Sequence, residues 1–168
     1  MNVSTLVKNH YENFPVSSFL IPKYNRKDIA IVYWFARTAD DIADEGNYES
    51  QKRLDELNKF EEDFRNSLKG ISSNLNFVIL AKTISEKILS IENFFNLLSA
   101  FKQDVVKKRY KNFEELLDYC NRSANPVGRI LLELFKVKGE EAIISSDKIC
   151  TALQLANFFQ DTVIDFGK

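Results

Sequence analysis

Four aspartates stand in two pairs, the members of each four residues apart: Asp40 with Asp44, and Asp161 with Asp165. On a helix that spacing puts both carboxylates of a pair on one face, one turn apart. Each pair follows an apolar run. Residues 29–36 read Ile-Ala-Ile-Val-Tyr-Trp-Phe-Ala, without a charge, before Arg37, Asp40, Asp41 and Asp44. Tyr33 and Arg37 fall on the same face as the first pair. Residues 149–166 carry no charge except Asp161 and Asp165, and Gln154 and Asn157 extend their stripe upward. Carboxylates against apolar surroundings are costly unless a positive partner joins them, and positions 149–167 hold no Lys or Arg. A divalent cation supplies that charge. Mg²⁺ prefers oxygen ligands, keeps several waters, and is held by one or two carboxylates together with substrate phosphates. Two such helices facing each other would enclose metal ions with a diphosphate between them. Phe, Leu and Ile beneath would line a cavity for an apolar tail.

Each residue also has a plainer reading. One Asp-x-x-x-Asp pair near a helix end is usually solvated surface. Arg37 is placed to pair with Asp40 and Asp41 at i+3 and i+4. Tyr33 and Trp34 can be core, and Cys120 and Cys150 read as packing thiols. The second pair, on a second apolar helix, raises the weight of the metal reading.

The elements that must position these residues are helices. Five Gly and three Pro punctuate 168 residues that include fourteen Phe, and the uninterrupted segments show little strand-like alternation. The pattern predicts a single all-α domain. Helices are expected over 4–12, from 26–28 to 45 with Asp28 at the cap or in the first turn, and over 49–68. Further helices are expected over 77–89, over 91–107 with Ser90 as cap, and over 113–135 kinked by Pro126. A last helix is expected to be capped by Ser145 or Ser146 and to run toward the C-terminus.

Composition narrows the functions. Lys and Arg number 23 against 24 Asp and Glu, a net charge of −1, so no bulk positive charge draws nucleic acid. The single histidine, His10, excludes a histidine metal cage and a His-Glu-x-x-His zinc site. Two cysteines make neither a disulfide framework nor a four-cysteine site. No Gly-x-Gly-x-x-Gly suggests a nicotinamide site. No run reaches the length of apolar sequence that a membrane span needs, and the first residues do not read as a secretory leader. A cytoplasmic location is expected, with peripheral membrane contact compatible with it.

At these motifs the sequence resembles the squalene/phytoene synthase family. Tyr33-Trp-Phe-Ala-Arg37-Thr-Ala-Asp40-Asp41-Ile-Ala-Asp44-Glu45 looks like its first aspartate-rich motif. Gln154-Leu-Ala-Asn157-Phe-Phe-Gln160-Asp161-Thr-Val-Ile-Asp165 looks like the second. The segment from Tyr119 to Gly128 and Arg129 resembles the family's tyrosine-led stretch ending in Val-Gly. Ser17-Ser18-Phe19 with Pro22 and Arg26 resembles its N-terminal substrate-flap region. The Ser-Ala-Asn-Pro-Val-Gly wording is most similar to the hydroxysqualene synthase branch.

The resemblance implies an isoprenoid-synthase helical bundle, Mg²⁺, and a prenyl diphosphate substrate whose diphosphate departs to leave a carbocation. By position it implies that Asp40, Asp44, Asp161 and Asp165 bind metal, with Asn157 a further ligand and Asp41 behind them. It implies that Arg37 and Tyr33 hold the diphosphate or order water beside it. Ser18, Phe19, Tyr119, Gln154 and Asn157 would contact substrate. Many members carry Arg where this chain has Gln160. The neutral residue favours conversion of presqualene diphosphate to hydroxysqualene over head-to-head joining of farnesyl or geranylgeranyl diphosphate. The family continues past Asp165 with further helices, so 1–168 is expected to be the N-terminal part of one domain, sticky and of little activity alone. The rival readings are a terpene cyclase or head-to-tail prenyltransferase, and a helical interaction module whose acids are mere surface.

Overall fold

The computed structural model describes the backbone of residues 21–165 and the side chains up to residue 160. The expected helix over 4–12, and Ser18 and Phe19, lie outside the described residues. Those residues form seven helices and no strand: α1 Arg26–Asp44, α2 Ser50–Leu68, α3 Leu75–Lys87, α4 Ile91–Val106, α5 Phe113–Ser123, α6 Asn125–Leu134 and α7 Glu140–Asp165. No helix among them is long and apolar enough to cross a membrane.

Helix α1 is the element around which the rest is built. It packs on α2, α3, α4 and α6, and Ile29, Ile31, Val32, Trp34, Phe35 and Ala39 are buried. The many phenylalanines are explained here. Phe35 is fully enclosed, with ring centroids 5.3 Å from Phe60, 5.0 Å from Phe64 and 5.3 Å from Phe94. Trp34 meets Phe77 edge-on at 5.2 Å. Tilted and edge-on aromatic pairs at these separations add to simple burial. The start of α1 is fixed by Asp28, which favours the helix N-terminus and pairs with Lys87 of α3 at 2.9 Å. Its polar end faces away from this stack.

Several element boundaries differ from expectation. Asn74 accepts a hydrogen bond from the Asn76 amide, so α3 opens at Leu75. Ser90 occupies the cap position of α4 but makes no capping bond through its side chain. Its amide donates instead to Glu133 at 3.0 Å. The expected single helix over 113–135 is two helices, broken at Ala124. Pro126 does not kink a helix interior; it sits in the first turn of α6, where its missing N–H leaves no hydrogen bond unmade. Asn125 is buried at the break, donating to Asn121 and accepting from Thr151 of α7. Ser145 and Ser146 lie inside α7. That helix starts at Glu140, after Gly139 takes a backbone φ of 119°, and this turn outweighs any serine cap.

Helices α6 and α7 pack closely. A Cβ added at Gly128 would overlap Ser146 Oγ and lie 2.6 Å from Cys150 Sγ. Arg129 grips Asp147 with two nitrogens, at 3.0 and 2.6 Å. Cys120 is buried and Cys150 half-buried, both as free thiols.

Candidate active site

The last two turns of α1 carry the first acid pair. Asp40 and Asp44 line a polar cavity of about 270 Å³ with Tyr48, Ser50, Arg53, Asp104 and Lys108. Asp40 is half-buried and Asp44 exposed. Burial pushes the Asp40 carboxyl up from its ordinary range, against the pull of Arg37, and the neighbouring Asp41 and Asp44 push it further. Arg37 is already engaged along its own helix, reaching Asp40 at 3.0 Å, Asp41 at 2.7 Å and Glu45 at 3.1 Å. Its plainer reading as an i+3 and i+4 partner is therefore observed. Tyr33 is half-buried against the core.

Asp104, on the last turn of α4, is the residue that motif reading overlooks. It is the only acid between positions 93 and 113. That isolation in an apolar helix was the available signal. Its carboxyl is pushed up to about 6, first by burial and then by the nearby charges of Asp40 and Asp44, against a hydrogen bond from Tyr119 and the charge of Arg122. Tyr119 Oη donates to Asp104 Oδ2 at 2.7 Å. Burial and the adjacent Asp104 hold the Tyr119 phenol strongly protonated. Burial also raises Tyr110, to about 12.

A carboxyl with a raised value binds more protons folded than unfolded between about pH 4 and 6. Stability therefore falls as pH rises through that window. Asp104→Asn keeps an acceptor for Tyr119 and removes the ionisation. In chelator-treated protein, urea titrations should show this variant more stable than wild type at pH 7, by about 1 kcal/mol after solvent screening. The gain should vanish near pH 4. Equal stability at both pH values would contradict the assignment.

The second motif reaches this region along α7. Phe158 packs edge-on against Tyr110 and Tyr119, at 5.8 Å from each. The backbone at Asp161 follows less than one turn later on the same helix; the side chains of Asp161 and Asp165 lie outside the described set. Gln154 and Asn157 line a different space. They border a groove of about 640 Å³ between α6 and α7, walled by Val127, Leu131, Ile149 and Leu153 among others. Tyr119 links the acid cavity to α7: it bonds to Asp104, which lines that cavity, and packs on Phe158, one residue from the groove-lining Asn157.

Among the described residues no three His, Cys, Asp or Glu side chains form a ready-made metal cage. The donor set at the acid cavity still suits Mg²⁺. Its carboxylates at Asp40, Asp44 and Asp104 are oxygen donors, those of Asp40 and Asp104 partly desolvated, and Mg²⁺ needs only one or two carboxylates when phosphates and water complete its shell.

The squalene/phytoene synthase family model matches residues 7–168. The chain belongs to the squalene/phytoene synthase family. It is 42% identical over 172 aligned residues to a hydroxysqualene synthase of Zymomonas mobilis, covering 99% of this chain and 56% of that protein. A hydroxysqualene synthase of Sinorhizobium fredii is 38% identical, with 92% and 52% covered. The crystal structure of squalene synthase HpnC from Alicyclobacillus acidocaldarius superimposes with a TM-score of 0.87 at 38% identity, over 98% of this chain and 62% of that one. The all-helical architecture is thus that of the family. The chain spans about half the length of the curated relatives it matches.

Proposed function

We propose that this chain carries the diphosphate-gripping part of a hydroxysqualene synthase, acting on presqualene diphosphate with Mg²⁺. The observation that carries this reading is the acid cavity of Asp40, Asp44 and Asp104, tied through Tyr119 and Phe158 to helix α7, which also walls an apolar groove; these are the two kinds of surface a prenyl diphosphate needs. Asp40 and Asp44, with Asp161 and Asp165 from α7, would hold Mg²⁺. The metal would neutralise charge on the departing diphosphate. Arg37 and Tyr33 would meet the diphosphate, which requires Arg37 to exchange some of its carboxylate partners for phosphate oxygens. Val127, Leu131 and Leu153 would take the prenyl chain and exclude water from most of it, with Gln154 and Asn157 at its head. Tyr119, fixed by Asp104, would place a phenol proton beside the reacting carbon. The cyclopropylcarbinyl carbon–oxygen bond would break with its electron pair leaving on inorganic pyrophosphate, the ring would open, and a water oxygen would bond to the resulting cation and give up one proton to the departing pyrophosphate or to solvent. The neutral Gln160 and the names of the similar proteins favour this step over head-to-head condensation.

Heat denaturation tests the grip directly. Mg²⁺ and inorganic pyrophosphate together should stabilise the folded chain, by about 2.7 kcal/mol at a hundred times the dissociation constant, and Mg²⁺ alone should do much less. A folded sample that shows no shift would favour a helical interaction module. Incubation with presqualene diphosphate or farnesyl diphosphate, followed by product analysis, separates water capture from condensation.

A further inference from the structure

Helix α1 ends badly by its own sequence. Its last turn holds Asp41 and Asp44 and no basic residue, although the C-terminal end of a helix favours cations. The Asp41 carbonyl accepts from the Glu45 amide at 2.8 Å, but the carbonyls after it lack intrahelical donors. Arg53, from the first turn of α2, answers both needs. Its Nη1 donates to the carbonyls of Ala43 at 2.7 Å and Ile42 at 3.4 Å, and its Nη2 to Gly46 at 2.6 Å. Its Nε donates to Tyr48 at 3.2 Å. One planar guanidinium thus ties four backbone groups on both sides of the turn that leaves α1. It makes no ion pair among the described residues, yet it borders the cavity of Asp40 and Asp44.

We propose that Arg53 is a positioning residue for the first acid pair. It holds the final turn of α1 helical, so that Asp44 stays one turn from Asp40 and the two carboxylates point at one spot, and its charge offsets the helix end that disfavours two acids. The inference rests on the reading of that pair as the grip on a metal-bound diphosphate. A flexible ammonium cannot do this work, because lysine has no fork to span carbonyls on two sides of a turn.

The test uses the full chain as wild type, Arg53→Met and Arg53→Lys, with two readouts: amide hydrogen exchange resolved along α1, and titration with Mg²⁺ plus inorganic pyrophosphate. In Arg53→Met, exchange at 42–46 should speed at least about tenfold while the amides of α3 stay unchanged. Affinity for Mg²⁺ with pyrophosphate should fall about 10-fold or more, the scale on which supporting partners of metal ligands act. Arg53→Lys should recover only a minor part of either effect. Unchanged exchange at 42–46, full rescue by lysine, or binding within twofold of wild type overturns the proposal. A wild type that binds no Mg²⁺ and pyrophosphate instead overturns the diphosphate reading, and with it the positioning role, leaving exchange to report the clasp alone. Should Arg53→Met not fold, the same thresholds apply to Arg53→Lys.

Discussion

Asp40→Asn is expected to remove the joint stabilisation by Mg²⁺ and pyrophosphate, weakening binding at least about 100-fold, or about 2.7 kcal/mol, while the chain stays folded. The two effects separate because Asp40 works against its surroundings. Burial penalises its charge, and Asp41, Asp44 and Glu45 add repulsion that Arg37 only partly relieves. An asparagine of nearly the same shape loses the 3.0 Å ion pair with Arg37, but Arg37 keeps Asp41 and Glu45. Stability without ligand should therefore change by less than about 1 kcal/mol, as for other partly exposed ion pairs. A metal-bound diphosphate loses a charged oxygen ligand for which amide oxygen is a poor substitute. Calorimetric titration of wild type and variant under one buffer checks both halves. Retained binding in Asp40→Asn would remove Asp40 from the metal-binding set.

The opposite profile is expected for Phe35→Ala. Phe35 is fully buried and touches rings from α2 and α4. Removing it deletes the transfer free energy of a large aromatic side chain and leaves a cavity whose walls are other rings with little freedom to collapse. The expected loss is about 3–5 kcal/mol, a large part of the stability of a typical domain. Urea unfolding followed by circular dichroism measures it, and a loss below about 1 kcal/mol would mean that the aromatic stack is not the centre of the core. In the fraction that remains folded, pyrophosphate binding should persist, since Phe35 lies on the face of α1 away from the acids. The two substitutions, five positions apart on one helix, would then divide grip from scaffold.

That division was readable in the sequence for α1 because one helix carries both patterns, an apolar run and an acid pair at a spacing of four. The all-helical class followed from the same scarcity of breakers. What escaped the sequence has common causes. Pro126 reads identically whether it kinks one helix or opens another, and the choice depends on Asn125 bonding across to Thr151 of α7. Ser145 and Ser146 resemble caps until Gly139 supplies an earlier start. Asp104 reaches the acid cavity from another helix and bonds to Tyr119, fifteen residues on, and no local spacing announces such a convergence. Arg53 is hidden for a different reason: its partners are carbonyls, which every residue has. Arg37 was legible in both its readings, and the structure holds it in the plainer one.

The indole of Trp34 has a use beyond packing. It is the chain's sole tryptophan, it is nearly sealed at 7% exposure, and it sits on the same helix as the acid pair, less than one turn before Arg37. With excitation that tyrosine does not absorb, the tryptophan emission of residues 1–168 therefore comes from a single, known address. Any loosening of that helix from the phenylalanine stack lets water reach the ring and moves the emission to the red, so the molecule carries its own optical gauge of whether its acids are still held in place.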